Sequence, residues 1–290
     1  MKHKSYIVIH GNCPDGCAAA ILAKTIDPTV KIVFGSHTKI DEQMIKTAGF
    51  VPPEHTMYAV DICGSEKNLG AVTAILAEKK SKIEIYDHHA SRSWLSGYTF
   101  PSSVDARAVF SNTECGSLLF LNHLVTQHSG LEKFRDFVLT VNDRDLWLNK
   151  DSRSAELNTL HYILGDSLFI KRFYRNPSMT FSESEKALID YELRREKDAV
   201  EKCFTDMIQK TDSNGNRYGV VYTHGKSSVI LNAAINKFNL DYAIHIDLNE
   251  KKGAVRGKGV FDCSAYAEKF GGGGHHDASG FTFNFNYPEF

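Results

Sequence analysis

The chain has 290 residues, 42% hydrophobic and 24% charged, and its 34 Lys and Arg stand against 35 Asp and Glu for a net charge of −1. This is the balance of a globular chain, which excludes a disordered or fibrous one; the near-neutral charge argues against a broad nucleic-acid surface and leaves room for a short anion in a local pocket. No run approaches the roughly 18 apolar residues of a membrane span, the opening Met1-Lys2-His3-Lys4 has no secretory pattern, and six scattered cysteines without a CxxC pair read as reduced thiols of a cytoplasmic protein.

In chain order, Ser5–His10 is strand-like, and Cys17–Lys24 follows as an alanine-rich helix. Val30–Phe34 is a second strand, Asp41–Ala48 a short helix, and Met57–Ile62 a third strand. Glu66–Lys80 then reads as a helix with Leu69, Val72, Ile75 and Leu76 inward, and Ile83–Tyr86 as a fourth strand. Strands alternating with helices predict an α/β fold with a doubly wound parallel sheet. After Ala90 the pattern turns helical, with helices over Glu114–Val125, Leu131–Asn142 and Ser154–Tyr174.

Asn176-Pro177-Ser178 breaks the chain, and Ser182 caps a charged helix running from Glu183 to about Gln209. That helix is long enough, at about 40 Å, to connect two domains. Beyond it a smaller α/β pattern begins: strands Tyr218–Thr223 and Tyr242–Leu248 with helix Ser228–Phe238 between them, a strand near Ala254–Arg256, a helix over Asp262–Phe270, a four-glycine run, and a closing strand at Phe281–Phe285. The domains are therefore expected at 1–180 and 212–290, with 181–211 as the connecting helix.

Three of the early strands end in groups that ligate metals. The first ends at His10 before Gly11-Asn12-Cys13-Pro14-Asp15-Gly16, the third at Asp61, and the fourth at Asp87-His88-His89. Parallel strands bring such ends to one sheet edge, where open α/β sheets bind ligands. Asp143, just after a helix, is a further acidic candidate, while Asp143 and Asp145 could instead cap a helix near Trp147. Imidazoles mixed with carboxylates suit Mn²⁺, Fe²⁺ or Zn²⁺ and fit Ca²⁺ poorly. Two cations bridged by one carboxylate would activate water and clamp a phosphoryl oxygen. Near the other end, Gly271-Gly272-Gly273-Gly274-His275 offers backbone N–H groups to an anion, and Arg256 could pair with a phosphate or sit in a surface salt bridge.

The segments HGNCPDGCAAA (10–20), AVDI (59–62), YDHHAS (86–91), VNDRDLW (141–147) and GGGGHHDASGF (271–281) occur in this order. Together they resemble the DHH phosphoesterases that carry a DHH-associated C-terminal domain, nearest to a nano-RNase and exopolyphosphatase-like branch with an HGNCPDG opening. The resemblance implies a catalytic metal-binding domain, a substrate-binding domain and a cleft between them. It implies two Mn²⁺ ions, with Mg²⁺, Fe²⁺ or Zn²⁺ as substitutes. His10, Asp15 and Asp61 would hold one ion; Asp61, His88 and Asp143 would hold the other, with Asp61 bridging. His89 would touch the scissile phosphate, Asp87 would orient its neighbours, and Arg256, Gly272, Gly273, Gly274 and His275 would bind the terminal phosphate. Four residues, not the commonest three, separate His10 from Asp15, and Cys17 stands where the pattern has its last Asp, either as a thiolate ligand or as part of the helix core.

The function expected is Mn²⁺-dependent hydrolysis of short RNA or linear dinucleotides by a cytoplasmic monomer or homodimer. The alternatives are a phosphoanhydride hydrolase acting on polyphosphate or pyrophosphate, and a non-catalytic nucleotide-binding module with a weakened second metal site.

Overall fold

Five parallel strands form the first sheet: β1 (Tyr6–His10), β2 (Lys31–Gly35), β3 (Thr56–Val60), β4 (Lys82–Asp87) and β5 (Asp105–Phe110), in the order β2-β1-β3-β4-β5. The computed structural model describes residues 5–36, 38–222, 227–259 and 261–283. The inner strands are almost continuously buried, because helices cover both faces. Side chains alternate between those faces. Val8, Met57, Ala59, Ile83 and Ile85 pack with Met44 and Ala48 of α2 (Ile40–Phe50) and Leu69, Val72 and Leu76 of α3 (Glu66–Glu78). On the other face Tyr86 lies 5.1 Å, centroid to centroid, from Phe120 of α4 (Gly116–Leu124).

The helix α1 (Pro14–Ile26) is buried throughout 15–23. Its small side chains Ala18, Ala19 and Ala20 let it pack closely against α4, α5 (Arg135–Asp145) and α6 (Arg153–Arg175). The strand order places the site. From β1 the chain moves to β2 on one side, then crosses back to β3 on the other. The crevice between the carboxyl ends of β1 and β3 is therefore a topological switch point, where sheets of this kind bind ligands.

The chain divides into two compact units, Met1–Asp190 and Tyr191–Phe290, and α7 (Glu183–Thr205) crosses that division. The second unit holds a six-stranded sheet in the order β10-β11-β9-β8-β7-β6. Its elements are β6 (Ile208–Thr211), β7 (Arg217–Tyr222), α8 (Ser227–Phe238), β8 (Tyr242–Asp247), β9 (Lys252–Gly257), α9 (Cys263–Glu268), β10 (Gly273–His275) and β11 (Ala278–Thr282). Only the β7–β8 pair is parallel. Tyr242, Val255, Cys263, Ala267 and Phe281 form one of its cores. Among the described residues no helix is long and apolar enough to cross a membrane.

Three elements differ from the sequence reading. β5 falls in a stretch read as helical; its Ala106, Ala108 and Phe110 face the sheet core, and two alanines make a faint alternation. The charged helix stops at Thr205, four residues before Gln209, because Ile208–Thr211 pairs with β7 across a turn in which Asp212 Oδ1 accepts from the Asn214 and Asn216 amides. The second half of the four-glycine run, Gly273 and Gly274, joins His275 in an edge strand, β10, hydrogen-bonded to β11. Thr223 and the last two residues of the expected closing strand, 284 and 285, lie outside the described residues.

Candidate metal centre

His10 closes β1, Asp61 follows β3, and Asp87 closes β4 ahead of His88 and His89. The sheet therefore delivers one carboxylate or imidazole cluster per strand end to the switch-point crevice. Asp61 is buried and has a φ of 61°, a left-handed conformation uncommon for a residue other than glycine. Its backbone N–H still reaches the Tyr86 carbonyl at 2.9 Å, so the turn is held by the neighbouring strand.

Asp61 is the hub. Its Oδ1 lies 3.2 Å from His88 Nε2 and 4.0 Å from His89 Nδ1, and its Oδ2 lies 3.7 Å from His10 Nδ1. His88 Nε2 is also 3.2 Å from Asp145 Oδ2. A ring nitrogen carries at most one hydrogen, so it cannot donate to both carboxylates at once. A cation held among the three groups would resolve that conflict. Asp15, in the first turn of α1, accepts from the Ser117 amide at 2.9 Å through Oδ1. The Oδ2 atoms of Asp15, Asp61 and Asp145 are buried with no hydrogen-bond partner. Buried polar atoms rarely stay unpaired. Three such oxygens beside imidazoles fit divalent cations. The same geometry groups the donors as His10, Cys13 and Asp61; Asp61, His88 and His89; and Asp15, His88 and Asp145.

The electrostatics agree. Burial, then Asp15 and Asp145, push the Asp61 carboxyl well above its ordinary pKa. Burial and Asp15 push Asp145 up to about 6, against a smaller opposing pull from His88. Without positive charge these carboxylates repel one another in a low-dielectric site, and a cation relieves the repulsion. His89 and Asp87 form a different kind of pair. Burial disfavours charge on both, but Asp87 Oδ1 accepts from His89 Nδ1 at 2.8 Å and from its amide at 2.9 Å. These bonds hold Asp87 below and His89 above the usual values. Asp87 thus orients His89 and favours its charged form.

The structure separates the other expected residues. Asp143 does not join the cluster: its Oδ1 accepts from the Lys150 amide at 2.8 Å, and it serves the loop after α5. Residues two apart on a helix point about 200° apart, so only one of Asp143 and Asp145 can face the crevice. Asp145 is the one that does. Cys17 also lies apart, 3.7 Å from His161 Nε2 and 3.5 Å from Asp166 Oδ1. Cys13, which sequence reasoning passed over, stands in the cluster, with Sγ 3.9 Å from Asp145 Oδ1. Gly116 was missed as well: a Cβ there would sit 2.7 Å from the Asp61 nitrogen and 3.1 Å from Asp15 Oδ2, so only glycine lets α4 close the site floor. Neither residue forms a motif by spacing alone.

In the second unit, Arg256 on β9 pairs in register with Ala278 of β11, which pairs with His275 of β10. The Arg256 guanidinium donates to Ser228 Oγ at 2.7 Å, and burial, opposed by Asp277, lowers its pKa. A Cβ at Gly272 or Gly274 would strike the β11 backbone at 2.2 and 2.6 Å, so sheet packing accounts for those glycines, whereas Gly273 faces open space. The His275 side chain lies outside the described part of the structure.

Exchanging the two α5 acids separates their roles. Asp145→Asn should weaken Mn²⁺ binding at least tenfold. Asp143→Asn should leave it unchanged and cost about 1–3 kcal/mol of stability through a mismatched buried amide. Equilibrium dialysis and thermal melts of both variants check this; equal metal loss from both would restore Asp143 to the site.

No family model matches the chain. It is 23% identical over 291 residues to oligoribonuclease NrnB of Bacillus subtilis (strain 168), covering 95% of this chain and 72% of that protein. Among solved structures, the DHH domain of a protein described as a member of a ribosomal-protein family superposes with a TM-score of 0.64 at 14% identity, over 97% of this chain and 83% of that one. The pGpG-specific phosphodiesterase PggH from Vibrio cholerae gives 0.54 at 13% identity, over 97% and 93%. The fold is that of DHH-domain proteins, in agreement with the resemblance carried by the motifs.

Proposed function

We propose that this chain is a DHH-type phosphoesterase that hydrolyses phosphodiester bonds of short oligonucleotides and linear dinucleotides, with two Mn²⁺ ions held by His10, Cys13, Asp15, Asp61, His88 and Asp145. The observation that carries the reading is the convergence of three unpartnered, buried carboxylate oxygens on His10 and His88 at the strand ends. Divalent cations in such a site acidify water and neutralise charge on a phosphoryl oxygen.

The chain's own groups do the rest. Asp61 links the donors, because it belongs to two of the three groups, one with His10 and Cys13 and one with His88 and His89. His89, oriented by Asp87 and with its charged form favoured, contacts the scissile phosphate. In the second unit, Arg256 and the backbone near Gly273 form a phosphate-binding subsite. The names of the relatives, an oligoribonuclease and a pGpG-specific phosphodiesterase, support short substrates over polyphosphate.

The test is a panel of pApA, pGpG, RNA of five and twenty nucleotides, and polyphosphate, each with Mn²⁺. The reading expects the highest kcat/KM on the dinucleotides; preferential polyphosphate hydrolysis would replace it with the phosphoanhydride alternative. Arg256→Ala should raise KM for pGpG about tenfold to a hundredfold, the loss expected when a charged hydrogen bond is removed, with kcat little changed. Steady-state kinetics decide this, and a fall in kcat at constant KM would move Arg256 from binding to chemistry.

A further inference from the structure

A second cluster of donors lies against α1 and is not used by the proposed reaction. Cys17 Sγ, His161 Nε2 and Asp166 Oδ1 converge, with separations of 3.7 Å (S–N), 3.5 Å (S–O) and 2.8 Å (N–O). Cys17 is buried and His161 nearly so, while Asp166 keeps some solvent access.

The backbone is built to make this meeting. Residues five apart on a regular helix point about 140° apart, yet His161 and Asp166 of α6 share one hydrogen bond. Gly165 between them has φ 66° and ψ 166°, conformations open essentially to glycine alone, and this break swings Asp166 back towards His161. The other Asp166 oxygen, Oδ2, accepts from the Asn12 amide at 3.0 Å, so the carboxylate is fixed from behind.

The arrangement is not a nucleophile relay. In a relay the base uses one ring nitrogen for the thiol and the other for the carboxylate; here both partners face Nε2. Three different ligand atoms around one point is instead the form of a cation site. Tetrahedral zinc, with Zn–S near 2.3 Å and Zn–N and Zn–O near 2.0–2.2 Å, sets its ligand atoms about 3.3–3.6 Å apart. The S–O separation falls within that spacing, the S–N separation lies about 0.1 Å beyond it, and the N–O pair has to open by about half an ångström. We propose that Cys17, His161 and Asp166 form a third cation site, separate from the Asp61 cluster and selective for a thiophilic divalent ion such as Zn²⁺. Binding would release the thiol proton to solvent, and the hydrogen that His161 Nε2 shares with Asp166 would move to Nδ1, leaving a neutral imidazole ligand. The fixed carboxylate would then brace the Gly11–Cys13 loop that carries the start of the main site.

The test uses the full chain, stripped of metal and titrated with Co²⁺ alone. Because Cys13 is the thiol beside the Asp61 cluster, the Cys13→Ser variant is the reference. It should keep a sulfur-to-cobalt charge-transfer band in the near ultraviolet, and adding Cys17→Ser should abolish it. By dialysis, Cys17→Ser and His161→Gln should each bind one equivalent fewer than wild type. Asp61→Asn should retain the equivalent that His161→Gln removes, so failure of the main centre reads differently from failure of this one. If either Cys17→Ser or His161→Gln does not fold, the other reports the same loss. Equal stoichiometry in wild type and both variants, or a charge-transfer band that survives loss of Cys17, overturns the site.

Discussion

Replacing Asp61 by alanine should remove cation binding from both halves of the centre and lower kcat on pGpG about a thousandfold or more. Asp61 is the residue placed within reach of His10, His88 and His89 at once. Its removal takes a ligand from both donor groups that contain it, the one with His10 and Cys13 and the one with His88 and His89. The several kcal/mol of charge stabilisation supplied by bound cations then disappears, and about 4 kcal/mol corresponds to a factor of a thousand. The fold should survive, since Asp61 is disfavoured as a charge where it stands and its backbone bond to Tyr86 does not need the side chain. Metal analysis, circular dichroism and single-turnover rates measured together check this. A folded Asp61→Ala protein that keeps its metals and its rate contradicts a shared ligand.

The adjacent histidines should fail in different ways. His88 Nε2 stands between Asp61 and Asp145, 3.2 Å from each, so His88→Ala should lose cation affinity at least a hundredfold, and added Mn²⁺ should restore part of the rate. The His89 ring is turned towards Asp87 by the Nδ1 hydrogen bond, its amide bonds the same oxygen, and its pKa is raised by that carboxylate. His89→Ala should therefore keep most of its metal while kcat falls about a hundredfold or more, as expected when a preorganised charge on the phosphate is removed. Excess Mn²⁺ should not restore that rate. Mn²⁺ titrations of both variants, read by bound metal and by turnover, separate the two outcomes; matching metal loss would mean that both imidazoles are ligands. Asp87→Asn should follow His89 in direction with a smaller effect, about tenfold to a hundredfold, because it acts through the orientation of the ring.

The strand ends were legible in the sequence because β1, β3 and β4 are short apolar runs that stop at His10, Asp61 and Asp87. Parallel topology then brings those ends together. The choice between Asp143 and Asp145 was not legible: both stand in one short acidic motif, and only the rotation of α5 against α1 decides which faces the crevice. The meeting of Cys17 with His161 and Asp166 was hidden for a related reason. It depends on a break at Gly165 inside a run that reads as continuous helix. The glycine run was read as backbone N–H groups open to an anion, whereas pairing with β11 places two of its four glycines, Gly273 and Gly274, in a strand. β5 and β6 escaped notice because both draw their stability from a neighbouring strand more than from their own pattern.

The central claim is that the Asp61 cluster holds two divalent cations and that both are needed to cleave a phosphodiester bond. The most direct measurement adds Mn²⁺ stepwise to metal-free Cys17→Ser protein, which lacks the proposed third site, and records bound metal and pGpG cleavage in the same samples. The account predicts two equivalents bound, with cleavage rising in step with the second. Full cleavage with no metal or with one equivalent, or two equivalents bound without cleavage of any dinucleotide, would contradict it.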